Sequence, residues 1–261
     1  MGHLFIMSMV ANFELKEIAC SLALGTAPCI GPEDFEEVLE VIGSFEKESL
    51  NSSGEPPTLG PVVRCLLLLA EVLWLCYGTP DDPTVTSGGN MLPVPEEPRS
   101  ERWTELLADL HAWQRGRPSE LQELIHDDAG NAPFPTILFT TDTAVFTNML
   151  YHAAMLLLAA HRPNFVGMDG PSDSIQEDHP CGRVLWHARS LCGIALGSDR
   201  RSWDPCMIAA FTLAARYAPQ QGQQKLLNDY SKGIAERGWK LENLFPTTRA
   251  AMATARESLS L

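Results

Sequence analysis

The sequence predicts an all-α protein, and two features of its patterning support this. Apolar residues recur at steps of three and four, the spacing that places side chains on one face of an α-helix. No segment shows the alternation of apolar and polar residues typical of a half-buried β-strand. The chain has 261 residues, 45% of them hydrophobic, which is enough to bury a sizeable core. We therefore expect residues 1–261 to form a single multi-helix, bundle-like domain with two long irregular loops.

Start and stop signals predict the first helices in order. The segment "GPEDFEEVLEVIGSFEKESL" is amphipathic behind an acidic start, the charge that a helix N-terminus favours. A second helix is expected from about residue 58 to 77, and Gly78 and Pro80 end it. The stretch of about 78–99 contains five prolines and little periodicity. It predicts the first long surface loop.

The rest of the chain predicts six more helices. One is expected to begin at Ser100, a favoured N-cap residue type, and its apolar face holds Trp103, Leu106, Leu107, Leu110 and Trp113. A short helix is expected from about Ser119 to His126. The long helix at about 140–160 ends before Pro163, which cannot continue the hydrogen-bond ladder. After a second loop, "NFVGMDGPSDSIQED", the patterning predicts helices at about 179–196, 204–217 and 221–237.

Composition disfavours several classes of protein. The 33 acidic and 19 basic residues give a net charge of −14, which would repel a phosphate backbone, so direct nucleic-acid binding is not expected. The two most apolar helices are expected to be both too short and too charged for a membrane span, which needs about 20 apolar residues. The N-terminus lacks the charged start and cleavage site of a secretory signal, which predicts an intracellular location.

The seven cysteines form no CxxC pair and are expected to be free thiols.

Seven histidines raise the question of a metal site. In "NMLYHAAMLLLAAHRPNF", His152 and His161 are nine residues apart, which places them roughly 180° apart on a helix. They cannot chelate one ion from the same helix. No HExxH or Cys/His finger spacing occurs in the sequence. We therefore expect no metal site and no cofactor.

The motifs of the common enzyme classes are also absent. The sequence contains no GxSxG, GxGxxG or GxxxxGK[ST] segment, which disfavours a hydrolase, a dinucleotide enzyme or a kinase. In "DHPCGRVLWHARSLCGIALG", Cys181 and His179 or His187 could form a nucleophile pair. Packing in the core is the favoured interpretation of this segment, through Val184, Leu185, Leu191, Cys192 and Ile194.

Two carboxylates lie at informative positions. Glu71 interrupts an apolar run, so burial would raise its pKa unless Arg64 or another cation pairs with it. An exposed edge position is the alternative for Glu71. Asp142 is expected in the first turn of the long helix, where a carboxylate interacts favourably with the helix dipole.

Three segments in order resemble the regulatory region of fungal-specific zinc-cluster transcription factors, which follows the DNA-binding module. They are "WTELLADLHAWQRGRP", "TNMLYHAAMLLLAAHRP" and "HARSLCGIALGSDRRSWDPCMIAAFTLAARYAPQQGQQKLLNDYSKGIAERGW". The likeness covers about residues 100–240 and ends in Gly238 and Trp239. It implies an all-helical regulatory domain that mediates dimer contacts, effector response or inhibition. The family's six-cysteine zinc cluster, with its CxxC pairs and basic flank, is absent from this sequence.

Two functions are left open. The first is a transcription-regulator-like protein of a fungal pathway, for example in secondary metabolism, that acts in the nucleus without its own DNA-binding module. It would work through a protein partner, self-association or an effector. The second is a cytoplasmic, cofactor-free cyclase or isomerase of natural-product biosynthesis on the same scaffold. Such an enzyme mainly needs an apolar pocket, orientation and a few hydrogen-bond donors, which leave no motif.

Both functions involve a pocket for a small apolar ligand. The residues expected to line it combine aromatic walls with hydrogen-bonding groups, and they are Phe146, Tyr151, His152, Trp186 and His187. If the protein is an enzyme, Tyr151, His152 and His187 are the candidate catalytic residues. The alternative for the long helix is plain core packing, with Met149, Leu150, Ala153, Met155, Leu156, Leu157 and Ala160 buried.

Overall fold

A computed structural model describes residues 15–29, 59–78, 96–128, 132–163, 180–198, 203–217 and 221–236, and the all-α class is confirmed. The described helices are α1 (15–24), α2 (Leu59–Tyr77), α3 (Glu96–Arg115), α4 (Asp142–Ala160), α5 (Pro180–Gly197), α6 (Pro205–Ala215) and α7 (Gln221–Ala235). A 3₁₀ turn at Ser119–Leu121 and two strands, β1 (Ile125–Asp127) and β2 (Thr136–Leu138), lie between α3 and α4. Three predictions lie outside the described residues: the acidic helix after residue 30, most of both long loops, and the chain after residue 236.

Helix α4 is the centre of the described core. Its residues are buried without a break from residue 147 to 158, and α2, α3, α5 and α6 all pack against it. A helix that is apolar all round requires neighbours on every side. Six of the seven residues predicted to be buried are buried, but Ala160 is exposed because it is the last residue of the helix.

Side-chain caps define the starts of two helices, and one of them also has the carboxylate predicted for its first turn. The Thr141 side chain accepts a hydrogen bond from the Ala144 backbone N–H, and Asp142 occupies the first turn of α4. Asp204 caps α6 in the same way by accepting from the Met207 N–H at 2.9 Å, and Pro205 follows in the first turn. These local signals explain why the boundaries of α4 and α6 lie within two residues of the expected ones.

Helix α3 begins earlier than predicted. It begins at Glu96, so Ser100 lies inside the helix and does not cap it. Residues 96–98 form the first turn of α3. Pro98 is tolerated there because the first-turn N–H groups have no partner within the helix. The predicted apolar face is confirmed, since Leu106, Leu110 and Trp113 are buried.

The predicted short helix at 119–126 is wrong beyond its first turn. The chain becomes extended at Gln122, and β1 then pairs antiparallel with β2, with His126 opposite Ile137. The expectation that the chain has no strands is wrong to the same extent. Neither strand exceeds three residues, which is too short for alternation to be visible in the sequence.

Helix α5 lies against both the core and the ribbon of β1 and β2. Val184, Leu191, Cys192 and Ile194 are buried as predicted, whereas Leu185 is 38% exposed. Leu185 is about 100° around the helix from Val184, which turns it away from α4. Six cysteines are described, and all are free thiols, as expected.

Ion pairs and indole N–H groups attach α3 to its neighbours. The Arg102 guanidinium on α3 donates to the Glu71 carboxylate on α2, so Arg102 rather than Arg64 is the hydrogen-bonded partner of Glu71. Burial raises the pKa of Glu71, and the Arg102 charge opposes that rise. The indole N–H of Trp113 donates to the Pro61 carbonyl at 2.7 Å, and that of Trp103 donates to the Leu158 carbonyl at 2.9 Å.

Two helices are long and apolar enough to cross a membrane, judged by length and composition alone: Gly60–Tyr77 and Asp142–Ala160. The expectation that both are too short is therefore wrong. The core helix of a soluble protein passes the same test, and 78% of the second segment is buried inside the protein. The absence of membrane contact stays a prediction.

The close approach of α5 to the segment before β2 gives a first test. A Cβ atom at Gly193 would lie 2.3 Å from the Pro135 carbonyl oxygen, whereas a Cβ atom at Gly222 in α7 would meet nothing within 4 Å. We expect Gly193→Ala to destabilise the protein by about 1–3 kcal/mol. Gly222→Ala should be neutral or stabilise it by up to about 1 kcal/mol. Urea unfolding of both variants measures this, and equal midpoints would contradict the close approach.

Candidate functional site

Two buried histidines from different helices face one another. Nδ1 of His152 on α4 lies 3.0 Å from Nδ1 of His187 on α5. The two residues are only 7% and 5% exposed. One ring must carry a proton on Nδ1 while the other offers a lone pair there, because a hydrogen bond needs one donor and one acceptor. In the neutral pair, the two imidazoles therefore adopt different tautomers.

Their surroundings keep both imidazoles neutral. Burial lowers the pKa of His187 to about 3, with His111 and Arg183 adding positive charge nearby. Burial also lowers the pKa of His152 well below its ordinary value, and His187, Arg117 and His126 act in the same direction. Desolvation disfavours the charged form of an imidazole, and so do nearby cations. At neutral pH the pair accepts and donates hydrogen bonds but carries no charge.

Aromatic rings surround the pair. Trp186 meets His187 edge to face at 4.7 Å between ring centroids and His152 at 5.4 Å. Tyr151 lies 5.2 Å from His152, and Trp113 of α3 stacks on Tyr151 at 5.4 Å. We call these five residues the aromatic–histidine cluster. Four of them are buried, whereas Trp186 is 43% exposed and forms the surface side of the cluster.

The Tyr151 hydroxyl is anchored to α3. It donates a hydrogen bond of 2.7 Å to Oε1 of Gln114. Burial raises the pKa of Tyr151, so its hydroxyl keeps its proton at neutral pH. The contact fixes the end of α3 against α4 next to the histidine pair.

Beside the cluster lies a polar network around Asn148. The Arg117 guanidinium donates to Oδ1 of Asn148 and, at 3.1 Å, to the Glu123 carboxylate. The Asn148 amide donates to the Leu121 and Ala144 carbonyls, both at 2.8 Å. These bonds satisfy a buried amide and fix the turn after α3 to α4.

Four of the five residues predicted to line a pocket come together: Tyr151, His152, Trp186 and His187. The described ring contacts of the cluster do not include Phe146. That residue is half-buried and lies about 140° around α4 from Tyr151, five residues earlier. The sequence interpretation missed Gln114, Arg117 and Asn148 as neighbours of the site and treated Trp113 only as core. A polar Asn148 inside an apolar run was the available signal.

The described residues test some of the other histidine hypotheses and leave one untested. His161 does not join His152, since its Nδ1 lies 3.0 Å from the Leu157 carbonyl and its ring meets Tyr77 edge to face. Among the described residues, no group of three His, Cys, Asp or Glu side chains could hold a metal ion. The Cys181 side chain and His179 lie outside the described residues, so a nucleophile pair of Cys181 with His179 or His187 stays a prediction.

Comparison of the chain with family models, with curated proteins and with solved structures finds no match. Interpretation of the cluster therefore depends on its own chemistry. An efficient general base has a pKa near the working pH, and the pKa of His187 at about 3 is far below neutrality. The closed arrangement is better suited to hydrogen bonding and to aromatic contact than to proton abstraction at pH 7.

The buried histidines predict a specific loss of stability in acid. Their folded-state pKa values lie below the ordinary value of 6.5, so the unfolded chain binds more protons as the pH falls below 6.5. Their contribution is complete above pH 6.5 and is lost as the pH falls, by at most about 1.4 kcal/mol per unit for each histidine. We expect the free energy of unfolding to fall less between pH 7 and 5 in the variant carrying His152→Gln and His187→Gln. Urea titrations measure this, and identical slopes for both proteins would contradict buried neutral histidines.

The Asn148 network gives a second prediction. Asn148→Leu keeps the approximate volume but leaves the Leu121 carbonyl and the Arg117 guanidinium without this partner. We expect a loss of about 2–4 kcal/mol in the free energy of unfolding. The control is Gln122→Leu, which removes an exposed amide that donates to the Arg117 carbonyl at 3.1 Å and should cost about 0.5 kcal/mol or less. Similar losses in the two variants would show that the buried network does not stabilise the fold.

Proposed function

We propose that this chain is a regulatory protein similar to the helical regulatory region of fungal-specific zinc-cluster transcription factors. It acts on transcription through contacts with an effector and a protein partner or a second copy of itself. The sequence contains no zinc-cluster motif, so DNA recognition belongs to a partner. Its place of action is the nucleus, and a secondary-metabolite pathway is the process that we favour.

The main support for the proposal is that the three family-like segments contact one another at one cluster. Each segment contributes ring residues to the aromatic–histidine cluster: Trp113 from the first, Tyr151 and His152 from the second, and His187 from the third. Their meeting at one partly exposed cluster supports a shared role in effector response.

The charge state of the cluster also favours regulation over catalysis. Neutral imidazoles and a protonated tyrosine hydroxyl recognise a ligand by hydrogen bonding, but they are weak acids and bases at pH 7. The net charge of −14 favours basic partner surfaces over phosphate backbones. DNA-binding modules are basic, which makes such a module a suitable partner.

A cofactor-free cyclase or isomerase is the second candidate, and the 3.0 Å contact between His152 and His187 beside Tyr151 favours it. A substrate that opens the cluster would hydrate or polarise the imidazoles and bring their pKa values closer to neutrality. In that case Tyr151, His152 and His187 are the residues that would contact the substrate, and the enzyme would act in the cytoplasm.

Deletion of the gene in its host tests the proposal, with transcripts of neighbouring genes and the metabolite profile measured together. We expect the transcripts of a set of genes to fall and to be restored by the wild-type chain. The same chain carrying a nuclear-export signal should fail to restore them, because a regulator must act in the nucleus.

The opposite pattern would support the enzyme. Unchanged transcripts with one accumulated intermediate, which the purified protein converts, would contradict the regulator. Full complementation by the chain with the export signal would point to the same conclusion. The control is the same chain with an inactivated export signal, which has the same length and should complement like the wild type.

A further inference from the structure

We propose that the outer edge of β1 binds an extended basic segment of a protein partner, which joins the ribbon of β1 and β2 as a third strand. We call the extended chain of residues 122–128, which includes β1, the acidic edge. This inference rests on the proposed function, because it names the surface and the chemistry through which the regulator meets its partner.

Backbone groups of the acidic edge point away from β2. The two strands pair antiparallel, and the Leu124 N–H donates to the Leu138 carbonyl at 2.8 Å. Along an antiparallel ladder, successive residues direct their N–H and C=O groups alternately towards the neighbouring strand and away from it. Because Leu124 bonds to β2, the N–H and C=O groups of Glu123 and Ile125 point to the opposite side. Among the described residues, no third strand pairs with β1.

The side chains of the acidic edge are also accessible. All residues from 122 to 128 are exposed, and within the described chain β1 packs chiefly on β2. The apolar side chains of Leu124 and Ile125 are 67% and 46% exposed. An edge strand with outward backbone groups is a template for pairing with another extended chain. Such a chain would also cover part of this apolar surface.

Charge selects a basic occupant for this edge. The residues from 120 to 128 include four carboxylates and no lysine or arginine. Arginines from elsewhere in the chain offset two of these charges, since Arg117 pairs with Glu123 and Arg189 pairs with Asp128. The described charges at the edge therefore sum to a negative value. A strand that carries arginine or lysine complements this charge.

A second copy of the same edge is a poorer occupant. Two copies would place acidic segments side by side, and like charges opposite one another destabilise a pair of strands. Short, charged edge strands are a means by which proteins prevent such self-pairing, and β1 has only three residues. DNA-binding modules are basic, so a basic segment of such a module is the occupant that the proposed function supplies.

The side chains of the edge define the pattern that an added strand should have. Successive side chains of a strand point to opposite faces, so Glu123, Ile125 and Asp127 share one face. This face has the order acidic, apolar, acidic. Side chains of neighbouring strands lie beside each other on the same face. A strand with basic, apolar and basic residues at alternate positions therefore complements the edge.

The test uses a rhodamine-labelled heptapeptide of this pattern, Ser-Arg-Thr-Val-Thr-Arg-Ser, and measures its binding to the purified full chain by fluorescence anisotropy. We expect the analogue with glutamate in place of both arginines to bind at least about tenfold more weakly. Two further analogues carry one N-methyl group, on the valine or on the threonine after it. Because only alternate N–H groups of a strand face its neighbour, one analogue should bind at least about fivefold more weakly and the other like the parent peptide.

Variants of the protein test the other side of the contact. Ile125→Pro removes an outward N–H while Leu124 keeps its bond to β2, and edge strands tolerate proline. It should weaken binding by at least about fivefold, and Ile125→Ala, which keeps the N–H, should weaken it less. Asp127→Asn should weaken binding by about two- to fivefold. Asp229→Asn is the control, because it makes the same charge change in an ion pair of α7, and it should bind like the wild type. Circular dichroism verifies that every variant is folded.

Several results would overturn the added strand. They are absence of binding, equal binding of the basic and acidic peptides, equal effects of the two N-methyl groups, and equal effects of Asp127→Asn and Asp229→Asn. A dimer in sedimentation that Ile125→Pro dissociates would assign the edge to a second copy instead. The transcript experiment is independent of these results. Transcripts that fall on deletion, without peptide binding, would keep the regulator and reject this surface, whereas peptide binding with unchanged transcripts would contradict the regulator.

Discussion

The burial of α4 on nearly every side is the constraint on which the described structure depends. Polar groups on such a helix must find partners inside the protein, because an unpaired buried group costs about 1–3 kcal/mol. The Thr147 hydroxyl donates a hydrogen bond to the Thr143 carbonyl of its own helix. Three other polar side chains of α4 form hydrogen bonds with neighbouring elements. Asn148 bonds to the Leu121 carbonyl, Tyr151 to Gln114 and His152 to His187. Each of these bonds holds a different neighbour, namely the turn after α3, the end of α3, and α5.

The candidate site follows from the same bonds. Because Tyr151 and His152 are successive on α4, their bonds draw α3 and α5 to adjacent parts of one helix surface. Trp186 precedes His187 and is thereby placed over the pair, at the surface. Close approach of α5 also requires Gly193, whose missing side chain leaves room for the Pro135 carbonyl. The contacts that pack α3 and α5 against α4 therefore also assemble the aromatic–histidine cluster.

Most of the described helices could be predicted from the sequence. For the candidate site, only the types of residue that take part could be predicted. Helical periodicity and caps such as Thr141 and Asp204 are local properties, so they are visible in the sequence. The strand at Ile125–Asp127 depends on pairing with a distant segment, which local patterning does not contain. Phe146 and Trp113 show the same limit at the site. Their residue types are similar, but the rotation of α4 against its neighbours decides that Trp113 joins the cluster while Phe146 faces elsewhere.

Nearby positive charges act on the histidine pair. A charged His152 or His187 would repel Arg183, Arg117 and His111, all of which act on the pair. Because burial keeps both imidazoles neutral, the cations can lie close by without that added repulsion. The hydrogen bond between α4 and α5 therefore joins two neutral rings in a cationic neighbourhood.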